Sequence, residues 1–192
     1  PLMRGYDIRE HSIAYGERAG ETKLDPLKGG AEIARSLIKV SLEERLQEER
    51  RKFEHLAHHD ALTDLPNRRL FLESLERAVA TASRAGSRLG LLFVDLDNFK
   101  LINDSHGHET GDLVLQQTAE RLKTSVRTGD LAARLGGDEF GLILMNLKHP
   151  TDGARVAQKL TKLLSQPITV EDQEIPIRAS VGFSTYPDDG VE

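Results

Sequence analysis

The chain has no cysteine, no tryptophan and only seven prolines among 192 residues. Without cysteine there is no disulfide scaffold, no thiol nucleophile and no Cys-ligated zinc or iron–sulfur site, and a reducing compartment suits it. So few prolines, with 16 glycines, exclude a low-complexity polymer, and 38% hydrophobic with 30% charged residues describe an ordinary globular protein. Long apolar runs are also missing. No stretch approaches the ~20 residues of a membrane span, and the start at Pro1 carries no signal-like apolar block. Nor is there an excess of positive charge: 26 Lys and Arg against 31 Asp and Glu give a net charge of −5. That excludes a broad basic face for nucleic acid polymers and leaves room for a small phosphate ligand. These absences together predict a cytoplasmic chain without a membrane segment, one domain with an appendage.

Residues 1–30 are polar and rich in turn formers, from Gly5 to Gly29-Gly30, and predict an irregular segment. Residues 31–58 shift to helix formers with dense mixed charge and predict a helical linker. Leu42, Leu46, Phe53 and Leu56 fall at heptad spacing, with Glu49 interrupting the seam. Two readings follow, a solvated amphipathic helix or a signalling helix that pairs with its copy in a dimer. Residues 59–192 form the main domain. After Asp60-Ala-Leu-Thr-Asp-Leu-Pro-Asn67, a helical stripe runs to about Ala85 and a buried strand covers Arg88–Leu96. A short helix near Asn98–Asp104, a loop holding Gly107 and Gly111, and a helix over Asp112–Val126 follow. Leu131–Leu135 and Phe140–Leu144 flank Gly136-Gly137 as a β-hairpin. A helix over Thr151–Ser165 and strands near Ile168–Val170 and Ile175–Ser184 complete a βαββαβ order. This predicts an α+β, ferredoxin-like fold, an antiparallel sheet with helices on one face and a centre like a polymerase palm.

Alternation along the first strand sends Leu91, Phe93, Asp95 and Asp97 to one side, so an apolar strand ends in two carboxylates. The hairpin resumes after its glycines with Asp138-Glu139. If it lies beside the first strand, Asp95 and Asp138 converge at the end of the sheet. Like charges that close raise a carboxyl pKa unless a cation sits between them. Mg²⁺ suits such a site, because it takes oxygen ligands from one or two carboxylates and completes its shell with substrate phosphates. The pattern is that of metal-assisted phosphoryl transfer. Alone, Gly-Gly-Asp is equally ordinary turn chemistry.

Gly136-Gly137-Asp138-Glu139-Phe140 is the signature of the GGDEF family, the diguanylate cyclases, and residues 60–192 resemble that family in four separated motifs. The others are Asp60 to Arg68, the run from Phe93 through Asp112, and Ala179 to Phe183 followed by Tyr186-Pro187. The resemblance implies condensation of two GTP to cyclic di-GMP with release of two pyrophosphates, on a homodimer whose two-fold symmetry matches the product. It implies Asp95, Asp138 and the Leu96 carbonyl as ligands of Mg²⁺ or Mn²⁺. Glu139 belongs to the same site with a part in deprotonating the attacking 3′-hydroxyl, and Lys100 pairs with the triphosphate. Asn103 and Asp112 read the guanine edge, since an amide donates and accepts while a carboxylate accepts from N1–H and the N2 amine. Gly136 and Gly137 let the nucleotide approach the backbone. Arg127-Thr-Gly-Asp130 is placed as the family's inhibitory site for cyclic di-GMP, with guanidinium on phosphate or the Hoogsteen edge.

The family usually continues into a further helix and strand, so a domain ending at Glu192 is expected to be C-terminally truncated. The Leu-Thr-Asp-Leu-Pro-Asn-Arg opening also resembles versions found ahead of phosphodiesterase domains. The alternatives are therefore a catalytically weak GTP- or cyclic di-GMP-binding regulatory module from a larger GGDEF–phosphodiesterase protein, and a dimerising scaffold.

Overall fold

The structure, a computed structural model, describes residues 26–149, 151–170 and 173–190, with side chains from residue 35 onward. The chain divides into two units, residues 1–48 and 49–192. Helix α1 (Pro26–His58) starts five residues before the predicted linker. Residues 26–30, expected to be irregular, are thus helical, and Pro26 is compatible with a first helical turn, where its missing N–H costs nothing. The rest of the predicted irregular segment lies outside the described residues.

Helix α2 (Arg68–Ala85) begins where Asn67 accepts a 3.1 Å bond from the Leu70 N–H. The same side chain donates to the Ala57 carbonyl in the last turn of α1, so one amide closes one helix and caps the next. Strand β1 (Arg88–Leu96) leads to α3 (Phe99–His106) and α4 (His108–Ser125). The loop predicted from Gly107 to Gly111 shrinks to Gly107 alone, and Gly111 lies inside α4. Strands β2 (Leu131–Gly136) and β3 (Glu139–Leu147) form the hairpin, followed by α5 (Asp152–Leu164). The strand predicted over Ile175–Ser184 is two strands. β5 (Gln173–Ile175) pairs with β4 (Ile168–Val170), and β6 (Ala179–Tyr186) joins the main sheet. Pro176, which has no N–H to give a ladder, stands at the break.

The main sheet is antiparallel in the order β2-β3-β1-β6, which places β1 at the centre. This is the expected α+β, ferredoxin-like arrangement. Leu92, Val94 and Leu96 of β1 and Phe140, Leu142 and Leu144 of β3 pack against α4 and α5 through Val114, Leu122, Leu160 and Leu164. The opposite face is also covered in part, which differs from the one-sided expectation. Phe71, Ala78 and Ala82 of α2 lie over Leu89, Ala133 and Ile143. The near-continuous apolar run of β1 carries the reason: a strand without strict polar alternation is one buried on both faces. Contact there is close, since a Cβ on Gly141 would come within 2.7 Å of the Phe71 ring.

Candidate active site

The β1–β3 register sets Leu91 opposite Ile143, Phe93 opposite Gly141 and Asp95 opposite Glu139. Directly opposed residues share a face, so Asp95 and Glu139 emerge together beyond the apolar pairs that α2 covers. Asp138 stands one residue earlier, in the turn, and its carbonyl accepts a 3.4 Å bond from the Leu96 N–H. The Asp95 carboxyl is raised above its ordinary value, by desolvation first and then by the negative charges of Asp138, Glu139 and Asp97. The structure thus brings the predicted acids into one interacting group. Asp97 is engaged differently from its neighbours. Its Oδ1 accepts a 2.7 Å bond from the Ser180 hydroxyl and its N–H donates to the Arg178 carbonyl, which ties the end of β1 to β6.

Lys100 lies exposed in the first turn of α3, just past the acids. Asn103 is inside α3 and not its end, and its carbonyl accepts from the Gly107 N–H at 2.9 Å. Gly111 explains the fit of α4 against it. A Cβ at position 111 would lie 1.9 Å from Asn103 Oδ1, so glycine lets the two helices meet with the amide in this orientation. Asp112 follows at once and is exposed. The predicted guanine-reading pair therefore sits at one helix–helix junction.

The hairpin turn passes through Gly136 at φ 143° and Gly137 at φ 54°, torsions a side chain resists. Arg134, which the sequence reading passed over, holds this turn. Its Nε and Nη2 donate to the Gly137 carbonyl at 3.0 and 2.7 Å, and its Nη1 donates to Asp60 Oδ1 at 2.9 Å. Burial alone pushes the Asp60 carboxyl up, but hydrogen bonds from Thr63 and Arg134 outweigh it and leave the group below its usual value. The available signal was a lone charge inside the apolar run Leu131–Leu135.

Residues 57–192 match the family model for the diguanylate cyclase GGDEF domain. The chain belongs to the GGDEF family. It is similar to the bifunctional diguanylate cyclase/cyclic di-GMP phosphodiesterase MucR of Pseudomonas aeruginosa, 48% identical over 140 residues that make up 73% of this chain and 20% of MucR. Diguanylate cyclase TpbB of the same species is 42% identical over 149 residues, 77% of this chain and 34% of TpbB. The chain therefore spans about a fifth of MucR's length and about a third of TpbB's. Among solved structures, the coiled coil and GGDEF domain of DgcB from Caulobacter crescentus, in complex with c-di-GMP, superposes with a TM-score of 0.72 at 29% identity. That match covers 82% of this chain and 85% of DgcB's.

Within the GGDEF domain, the residues of the predicted inhibitory site lie far from the turn. Asp130 precedes β2 and Gly136 ends it, a separation of about 20 Å along an extended strand. The Asp130 side chain is 6% exposed, with Oδ1 accepting from the Met145 N–H at 2.9 Å and Oδ2 facing Arg127 Nε at 3.3 Å. Arg127 also donates to the Met145 carbonyl. Asp130 thus anchors the guanidinium to β3, and Arg127 lines a cavity of about 460 Å³ with Lys148, Asp152 and Arg155. A second cavity, of about 490 Å³, runs from Asp95 and Glu139 along Phe93, Phe71 and Leu72 to Gly182. Phe93 is 50% exposed on its wall.

No group of three or more His, Asp or Glu side chains gathers for a metal ion among the described residues. The donors present nevertheless fit Mg²⁺. Two hard carboxylates that repel each other, beside the backbone at Leu96, match an ion that completes its shell with water and substrate phosphates. No helix among the described residues is long and apolar enough to cross a membrane.

Proposed function

We propose that this GGDEF domain is a diguanylate cyclase that condenses two GTP into cyclic di-GMP and two pyrophosphates. The observation that carries the reading is the register that sets Asp95 opposite Glu139 with Asp138 in the adjoining turn, which gathers three acids at the end of the sheet. Acids gathered in this way in a family of nucleotide cyclases suit neutralisation by a cation and its nucleotide.

In this reading Asp95, Asp138 and the Leu96 carbonyl hold Mg²⁺ or Mn²⁺. Bound there, the ion would supply Lewis-acid polarisation of the α-phosphate and offset charge on the pyrophosphate. Lys100 faces the triphosphate. Asn103 and Asp112 bind the guanine edge and select GTP over ATP. Glu139 accepts the proton of the 3′-hydroxyl as its oxygen bonds to the α-phosphorus of the second GTP and the bond to pyrophosphate breaks. Two such transfers close the ring, so two domains face each other, each with one GTP. The exposed heptad face of α1 supports a homodimer. The cavity at Arg127 supports product binding remote from the turn, hence feedback inhibition by cyclic di-GMP.

The test incubates the protein with GTP and Mg²⁺, quantifies pyrophosphate and cyclic di-GMP, and repeats the assay with Asp138→Ala. The expected outcome is product from the wild type and a loss of about 100-fold or more in the variant. Nucleotide binding without product in the wild type would favour instead a regulatory module, a reading supported by the phosphodiesterase activity in MucR's name.

A further inference from the structure

Arg134 is placed to do more than brace a strand. Its side chain is 12% exposed and all three guanidinium nitrogens are engaged, two on one carbonyl and the third on a carboxylate. A planar fork with fixed donor directions can hold a carbonyl in orientation, which a flexible ammonium cannot do. The carbonyl it holds belongs to Gly137, the residue before Asp138. Because the peptide unit is planar, fixing that C=O also fixes the N–H of Asp138 and narrows the directions its carboxylate can take.

The β2–β3 ladder shifts register between Arg134 and Gly136 before it closes on the Gly136–Glu139 pair, and the Asp138 carbonyl meets the Leu96 N–H only at 3.4 Å. Two successive glycines there make the backbone the softest part of the site. The guanidinium adds two bonds to a turn whose flanking ladder shifts register.

The other arm reaches the end of α1. Asp60 Oδ1 takes Arg134 Nη1 together with the Thr63 N–H and hydroxyl, at 2.9, 2.9 and 2.6 Å. The Asp60 N–H donates to the Leu65 carbonyl, Asn67 bonds the carbonyls of Ala57 and His58, and the Arg134 N–H donates to the Pro66 carbonyl. From the last turn of α1 to the acidic turn there is one continuous set of hydrogen bonds.

We propose that Arg134 is a positioning residue that sets the geometry of Asp138 through the Gly137 carbonyl, and that Asp60 couples this clamp to the end of α1. The proposal rests on the reading of Asp95 and Asp138 as cation ligands, and two separate measurements keep the failure of either distinct. The first is the ¹⁵N order parameter of the Gly137 and Asp138 amides in the free protein. The second is Mn²⁺ affinity, by electron paramagnetic resonance, in the presence of a GTP analogue carrying methylene between the α- and β-phosphorus. Both are applied to wild type, Arg134→Lys, Arg134→Ala and Asp60→Asn, well below each melting temperature.

In Arg134→Lys the turn amides are expected to fall from the rigid range near 0.85 towards 0.6. Mn²⁺ affinity is expected to drop about 10-fold, the usual scale for losing a residue that orients a metal ligand. Asp60→Asn shifts both in the same direction by less, and adds little when Arg134 is already changed. A lysine variant with unmoved order parameters and unmoved Mn²⁺ affinity overturns the clamp, even if its melting temperature drops. If the wild type binds no Mn²⁺, the cyclase reading fails. The order parameters then decide the clamp alone, lowered values sustaining it and unchanged ones ending it. Should Arg134→Ala not fold, the lysine and asparagine variants carry the same comparison.

Discussion

Asp95 is the carboxyl that resists ionisation, through its own desolvation and the charges of Asp138, Glu139 and Asp97. Its folded pKa lies above the unfolded value, so ionising it costs the folded state. That cost is absent below the ordinary carboxylate pKa of ~3.9, grows as pH rises through it, and is complete above the raised folded value. Asp60 has the opposite sign, with stability present above the ordinary value and lost as pH falls through the lowered one. Asp95→Asn should therefore melt higher than the wild type at neutral pH in the absence of divalent cations. A rise of about 1–2 °C is expected, since the group is exposed and solvent screens it. The gap should close on acidification below pH ~4. Mg²⁺ with GTP should raise the melting temperature of the wild type and leave the variant where it was, while the variant makes no product. Scanning fluorimetry across pH reads all of this, and a variant that melts lower at pH 7 would end the repulsion argument.

At the scale of elements, the junction of α3 and α4 carries the sharpest constraint, because Gly111 has no room for a methyl group beside Asn103. Gly111→Ala must rotate that amide or part the helices. If Asn103 reads guanine as proposed, loss of one such hydrogen bond corresponds to about a 10-fold weaker GTP affinity, with little change for ATP. Isothermal titration of both nucleotides checks this, and equal weakening of the two would show general damage instead. This junction also shows what was legible in sequence. A glycine that turns the chain and a glycine that admits a neighbour look identical in one dimension, so Gly107 and Gly111 read as one loop although only Gly107 breaks the helix. Helix α2 was legible because its cap, stripe and stop are all local: Asn67, Phe71 with Ala78, and Gly86. The strand bearing Asp95 was legible from composition, and the hairpin from its two glycines. The Arg134–Asp60 pair was not, since its partners are 74 residues apart and nothing in either neighbourhood names the other. Register was equally hidden: alternation gives Asp95 a face, and only the fold sets Glu139 opposite it with Asp138 in the turn.

For the whole molecule the proposed cyclase reading turns on association, because in that reading one domain with one nucleotide cannot close a ring from two. On α1, Leu42 and Leu46 are more than half exposed, as are Phe53 and Leu56, and Phe53 reaches 75%. Apolar side chains at heptad spacing, left in water by the single chain, are what a second copy covers in a coiled coil. Burying a phenylalanine is worth about 1.5–3 kcal/mol per copy, so Phe53→Glu should weaken self-association by about 100-fold or more. Sedimentation velocity reads that shift directly. The kinetic consequence is separate and sharper. A protein already paired gives a specific activity independent of its own concentration, whereas the Phe53→Glu variant, limited by encounter of two GTP-loaded domains, should show specific activity rising in proportion to enzyme concentration. Equal sedimentation of the two proteins would remove α1 from the interface. Equal sedimentation with activity still proportional to concentration in both would place the encounter of domains elsewhere on the surface.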